Sequence, residues 1–259
     1  MEDNPEGFPK LRGLNTKIIR DVLIIATLKS LPDLKRQPLM MGLVGLISAL
    51  PLFFILVFGA EISYGIIGAL VATIGFIGLN SAIQDMAYDR YLKISEIIVS
   101  MPVHSLSYAL GVAMAPLLLS FPGIAFFTAL ALWLGILSIY SLFWAFAILL
   151  LCWTTLSSFG FLISTYLRGA SVYTLNNMSN MLGLILVFVP PVYYTEEILG
   201  SVGWLAMVFP TSNAAGLIRT YSGSLDSSPT MILIRWGILI GTLLIFAAIT
   251  ITKSKWRES

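Results

Sequence analysis

From Ile97 to Leu167 the chain carries no Asp, Glu, Lys or Arg, and no other stretch restricts its fold as much. About 20 predominantly apolar residues cross the hydrocarbon core of a bilayer as a helix, so this interval accommodates two long helices with a turn near Gly135 to Ser141. Of 259 residues 58% are hydrophobic and 11% charged, with a mean hydropathy of +0.91. Soluble domains run at about 45 to 50% apolar and about 25% charged. The sequence therefore reads as an all-α integral membrane protein. Cys152, the one cysteine, sits in an apolar run as a small buried hydrophobe does. The net charge of +2 comes with no nucleic-acid motif, and no nucleic-acid partner is expected.

Charge-free intervals divide residues 38–251 into six spans, at about 38–59, 62–83, 103–134, 141–166, 170–190 and 230–251. Pro38 opens the first at a helix start, where a missing N–H costs nothing. The sixth has to take in Arg235, which is expected to snorkel to the interface. Residues 1–37 lack a signal-peptide pattern and hold an amphipathic candidate, Leu14 to Lys29. Ile18, Val22 and Ile25 lie on one of its sides, with Lys17, Arg20 and Asp21 on the other. That helix is expected at the cytoplasmic interface. With the N-terminus inside, thirteen basic residues from Lys10 to Arg257 are cytoplasmic and only Arg219 and Arg235 fall outside. This gives a multi-pass protein of the cell membrane with both termini, including the tail 252–259, in the cytoplasm. Ile198 to Ile218 is also charge-free, but Gly200, Gly203, Pro210 and Gly216 interrupt it. A short re-entrant helical segment on the outer face fits it better than a seventh span.

Between spans two and three the chain turns polar, from Gln84 to Gly111. In helical register Asp89, Lys93, Glu96 and Ser100 form one stripe and Tyr91, Ile94, Ile98 and Met101 a second, so a short amphipathic helix is expected along the cytoplasmic surface. Met101-Pro102 ends it, because a proline disfavours helical geometry in the residue before it.

The search for chemistry is mostly negative. No Gly-Lys dipeptide occurs, so the phosphate-cradling loop of an ATPase is absent, and His104 is the only histidine. Nothing here marks an enzyme or a metal site. The polar residues within the spans are uncharged: Asn80 and Gln84 near the inner end of the second, Asn176, Asn177 and Asn180 near the inner end of the fifth. Asn176 and Asn180 share a helical face with Tyr173, which reads either as interhelical hydrogen bonding or as the lining of a pathway.

Two stretches resemble a known family, the membrane subunits of type-two ATP-binding-cassette exporters. The pattern of their coupling helix is matched by Asp89-Arg90, Glu96, Ile97-Ile98, Pro102 and Gly111, although Lys93-Ile94-Ser95 stands where a glycine is common. Their pattern after the fifth span is matched in order by Pro190-Pro191, Tyr193-Tyr194, Glu196-Glu197, Trp204, Pro210 and Arg219.

The resemblance implies a permease subunit that forms the translocation pathway with a second copy of itself or a homologous permease. A separate ATPase subunit would bind the ATP and magnesium, leaving no cofactor in this chain. It further implies that Asp89, Arg90, Ile94, Glu96 and Ile97 couple the spans to that ATPase; a merely solvated helix face is the alternative. Tyr193, Tyr194, Glu196 and Trp204 become parts of an outer gate, with an aromatic anchoring belt as the alternative. Asn80, Tyr173, Asn176 and Asn180 are the candidates for the pathway. A secondary transporter or channel is the rival function, set back by the absence of charges deep in any span. A lipid-modifying membrane enzyme lacks a visible nucleophile or metal set.

Overall fold

The computed structural model of the protein describes residues 11–36, 61–92, 105–167 and 169–253. The first predicted span and most of the predicted coupling helix, with Ile94, Glu96 and Ile97, lie outside the described residues. Among those described are seven α-helices, one 3-10 stretch and no strand. The helices are α1 (Leu11–Arg36), α2 (Ile62–Tyr91), α3 (Ser105–Trp133), α4 (Ile139–Tyr166), α5 (Val172–Phe188), α6 (Pro210–Ser222) and α7 (Pro229–Lys253). Four of them, α2, α3, α4 and α7, are long and apolar enough to cross a membrane. That is the build of a membrane-embedded protein. A further apolar helix, α5, has 17 residues and is about 26 Å long, just short of a hydrocarbon core of about 30 Å.

The bundle is assembled around α2, which is buried without interruption from Ser63 to Gly75. Glycines on several of its sides admit close neighbours. A Cβ at Gly68 would stand 2.6 Å from the Tyr193 ring, and one at Gly78 would stand 2.9 Å from the Trp153 carbonyl. The neighbours reciprocate. Gly160 of α4 faces Ala82 and the Leu79 carbonyl, each 2.7 Å from a built Cβ, and Gly183 of α5 faces the Phe76 ring. As a result α2 packs against α3, α4, α5 and α6 at once. Small residues at crossing points are what membrane helices use to approach one another, since lipid is as apolar as leucine.

The sequence reading ended the second span at residue 83 and began a separate helix at Gln84. Instead one helix of 30 residues, about 45 Å long, continues through Asp89 and Arg90 to Tyr91 and stops at Leu92. No glycine or proline between Leu79 and Leu92 breaks it, and Asp89 and Arg90 find partners on other helices, so the polar residues there end no helix.

The turn from α3 to α4 closes as a Schellman motif, with Gly135 at φ 70°, its N–H on Leu132 O at 3.1 Å and Ile136 N–H on Ala131 O at 2.9 Å. Ser138 and Ser141 then form a reciprocal capping box that starts α4. The N-terminal helix α1 packs on α3 through Val22, Ile25 and Ala26, with Ile25 set against Gly111, and leaves Ile19, Leu23, Leu28 and Leu31 exposed.

Between α5 and α7 the chain stays at one end of the bundle. It runs through a 3-10 stretch, Glu196–Val208, kinked at Gly200 (φ 52°), and then α6, opened by Pro210 and closed by Gly223 in the left-handed region. The expectation that Arg235 snorkels is corrected: only 3% of it is exposed, because α6 covers it and Glu196 pairs with it.

Gly160→Val should lower the stability of the detergent-solubilised protein by about 1 to 3 kcal/mol through overpacking against α2. Gly237→Ala, where a Cβ meets nothing within 4 Å, should leave the melting temperature unchanged.

Candidate functional site

Polar side chains gather in three places along α2. At its C-terminal end, Asp89 is 4% exposed. It accepts from Lys29 Nζ of α1 at 2.7 Å and from the hydroxyl of Tyr108 on α3. The next residue, Arg90, donates to Ser164 of α4 through both the carbonyl, at 2.9 Å, and Oγ, at 2.8 Å, and to Met86 O at 3.1 Å. Two adjacent residues thus tie α2 to three other helices. A carboxylate that is buried and accepts from a cation and a hydroxyl is satisfied, whereas one stripped of either partner would be costly. Beside Arg90 lies a cleft of about 240 Å³, bordered by Ala87, Tyr91, Ala170, Ser171 and Leu175.

Two turns further along α2 is a seam with α5. Asn80 Nδ2 donates to Asn180 Oδ1 at 3.3 Å, and Gln84 Nε2 donates to Ser179 Oγ at 2.9 Å and to Asn180 Oδ1 at 3.4 Å. Asn80 and Asn180 are therefore joined across the helices. Asn176 gives its carbonyl to Ser179 Oγ, and Tyr173, 75% exposed, stands off on the outer side of α5.

At the opposite end two arginines are buried. Arg219 of α6 donates to the carbonyls of Pro191 (3.2 Å), Val192 and Tyr194 (3.4 Å), and its guanidinium lies 4.0 Å from the centroid of the Tyr64 ring. Desolvation pulls it down to about 10. Arg235 acts in the same direction, while Tyr64, Glu196 and Glu61 oppose, so Arg219 stays charged at neutral pH. Arg235 of α7 pairs with Glu196 at 2.5 Å and reaches Ser212 O at 3.5 Å. It occupies the space that any side chain at Gly216 would need. Thr211 Oγ1 on Leu186 O (2.5 Å) and Asn213 Nδ2 on Met207 O (2.7 Å) and Phe209 O (2.9 Å) complete the fastening of α6.

The residues predicted for an outer gate do not converge on one point. Tyr193 is buried, its ring against Gly68 and stacked on Phe188 at 5.8 Å. Burial pushes its phenol above the usual range. Tyr194 donates to Val189 O, Glu196 serves Arg235, and Trp204 is 63% exposed on the 3-10 stretch. Sequence reasoning missed Lys29, Tyr108 and Ser164 as partners of the Asp89-Arg90 pair, since nothing local announces contacts 19, 60 and 74 residues apart. It placed Arg219 and Arg235 at one end together but missed that Gly216, which it read as part of a polar turn and which lies within α6, makes room for the second.

Two outcomes are expected of the purified protein. Lys29→Met and Asp89→Asn should each lower its melting temperature, with a coupling free energy of about 1 to 3 kcal/mol in the double-mutant cycle; residues serving only to dock a partner would leave it unchanged. Gly216→Ala should cost about 2 to 4 kcal/mol in the wild type, by expelling Arg235, and under about 1 kcal/mol in an Arg235→Ala background.

No family model matches the sequence, and no curated protein matches it either.

Proposed function

We propose that this chain is the membrane subunit of an ATP-binding-cassette exporter, a six-span permease of the cell membrane that works as a dimer on separate ATPase subunits. The observation that carries the reading is the pair Asp89-Arg90. They stand at the last turn of α2, as the first two residues of the set assigned to coupling by resemblance, and bond to α1, α3 and α4. A push delivered to residues 93–103 by a partner would reach four helices through those two side chains. The cleft beside Arg90 and Tyr91 leaves the same end open to a partner's surface.

The fold-back from Glu196 to Ser222 supports the reading further. The chain leaves α5 and enters α7 at one end of the bundle, as a re-entrant segment dipping into the outer leaflet requires. The ionisable groups described also favour it over an ion-coupled transporter or channel. Asp89 and Arg90 sit at one end, Glu196, Arg219 and Arg235 at the other, and none lies midway, where coupling or selectivity groups would stand. With the basic termini inside, the Asp89 end is cytoplasmic. ATP-driven closure of the ATPases then drives the inner ends of the bundle together and switches the pathway towards the outside. The uncharged pathway leans towards lipid-like or amphipathic cargo.

The purified chain should hydrolyse no ATP. Purified from its native membrane without harsh detergent, it should bring down a phosphate-loop ATPase at equal stoichiometry, two copies of each. Glu96→Ala should leave insertion intact and either reduce that yield or uncouple hydrolysis from transport. ATP hydrolysis by the lone chain, or wild-type yield and transport in Glu96→Ala, would overturn the coupling mechanism.

A further inference from the structure

The helices α3 and α4 are joined by five residues, yet their backbones hardly approach each other; each packs on α2 instead. Antiparallel neighbours on so short a turn normally close against one another. Here they splay from the turn, and the wedge between them is an elongated groove of about 490 Å³. Leu70 and Ile74 of α2 form its floor with Trp153. Its walls run from Leu117 to Leu132 on α3 and from Leu142 to Trp153 on α4, and Thr128 carries the one hydroxyl among the lining side chains. Its rim residues, Phe121 and Phe146, are exposed at 66% and 68%.

We propose that this groove holds one acyl chain of a bilayer phospholipid as a resident, structural lipid. The occupant follows from the walls. All three helices are long and apolar enough to cross a membrane, so the medium at the open side of the groove is hydrocarbon. An empty wedge of this size would forfeit the dispersion contacts of its whole lining, while the only polar side-chain groups water could meet there are the Thr128 hydroxyl and the buried Trp153 indole N–H. The length fits one leaflet. The α3 wall covers about 22 Å of helix axis, and half of the hydrocarbon core is about 15 Å. A tail entering from the turn side can therefore lie along the groove for its full length. At the mouth, Trp133 and Tyr140, exposed at 82% and 67%, flank the turn, where rings of this kind sit among headgroups. Nothing charged lies on the turn, on α3 or on α4, so the site selects the tail and not the headgroup charge. The proposal depends only on the membrane location of these helices and stands apart from the transport reading.

The test uses the full-length protein in vesicles of phosphatidylcholine containing a phospholipid with a photoreactive diazirine on one acyl chain. After irradiation, peptide mass spectrometry should find labelling at Thr128, Ala129, Phe146 and Leu150 about tenfold above that at Leu244 and Ile245, exposed apolar residues of α7. Replacing the carrier with phosphatidylglycerol should leave the ratio unchanged. Ala125→Phe with Ala129→Phe, two exposed alanines of the groove wall, should fill the wedge without touching the core. This variant should lose about tenfold of the groove labelling while keeping that on α7. It should also lose the phospholipid that native mass spectrometry finds on the wild type after detergent exchange. Equal labelling of groove and α7, groove labelling that follows headgroup charge, or cross-linking of the groove to a second copy of the chain would overturn the proposal.

Discussion

A helix surrounded by other helices inside a bilayer has to be held without the force that builds soluble cores. Leucine against leucine is no better there than leucine against lipid, and close fit and satisfied polar groups have to supply the association. The structure depends on α2 meeting that condition. Its glycines let Tyr193 and the Trp153 backbone approach within 3 Å of where a Cβ would stand, and the glycines of α4 and α5 answer from the other side. This crowding around α2 also explains what happens at the margins. Both α3 and α4 are drawn to α2, and the surface each spends on it is withheld from the other, which leaves the apolar wedge between two consecutive helices.

Charge follows the same logic at the two ends of the bundle. Removing an ion from water costs several kcal/mol after relaxation, and a buried ion persists only where its bonding capacity is met. Asp89 is met by a cation and a hydroxyl from two different helices. Arg219 has no carboxylate among its hydrogen-bond acceptors. The carbonyls of Pro191, Val192 and Tyr194 and the face of Tyr64 take that role, converting a stretch of irregular backbone after α5 into a binding site for a side chain. Buried irregular backbone needs its carbonyls occupied, and the arginine needs acceptors, so each solves the other's problem.

The periodic and compositional parts of this fold were legible in the sequence. The charge-free run to Leu167 places α3 and α4, with the break at Gly135, and the interrupted stretch after Ile198 folds as two short helical pieces, as its glycines and Pro210 imply. The misreading of Gln84 arose because charge was taken as a boundary. Asp89 and Arg90 would indeed mark an exposed surface if their partners were water; their partners are Lys29, Tyr108 and Ser164, which become neighbours only after the helices pack. Arg235 was misjudged for the same reason. Snorkelling is the solution open to an isolated helix, whereas α6 and Glu196 offer a closer one. Periodicity shows which face of a helix is apolar, and it is silent about which polar groups will meet.

The contrast between the two ends of the bundle has a mechanical consequence. From Ile62 to Tyr91 α2 is one unbroken helix, and Asp89 and Arg90 fasten its C-terminal end to α1, α3 and α4. A displacement applied near Leu92 is not absorbed by bending, since kinks need proline, glycine pairs or an inserted side chain, and Gly68, Gly75 and Gly78 of α2 are each pinned by a neighbour. At the far end the chain is segmented instead. Gly200 sits at positive φ within the 3-10 stretch, the surrounding residues are largely exposed, and side-chain bonds of Arg219, Arg235, Thr211 and Asn213 hold the pieces together. Elements of this kind move as rigid bodies about short terminal hinges. A shift of α2 along or about its axis would therefore be taken up where Tyr193 bears on Gly68, where Thr211 meets Gly75 and where Arg219 lies over Tyr64, because those are contacts between the rod and the segmented cap.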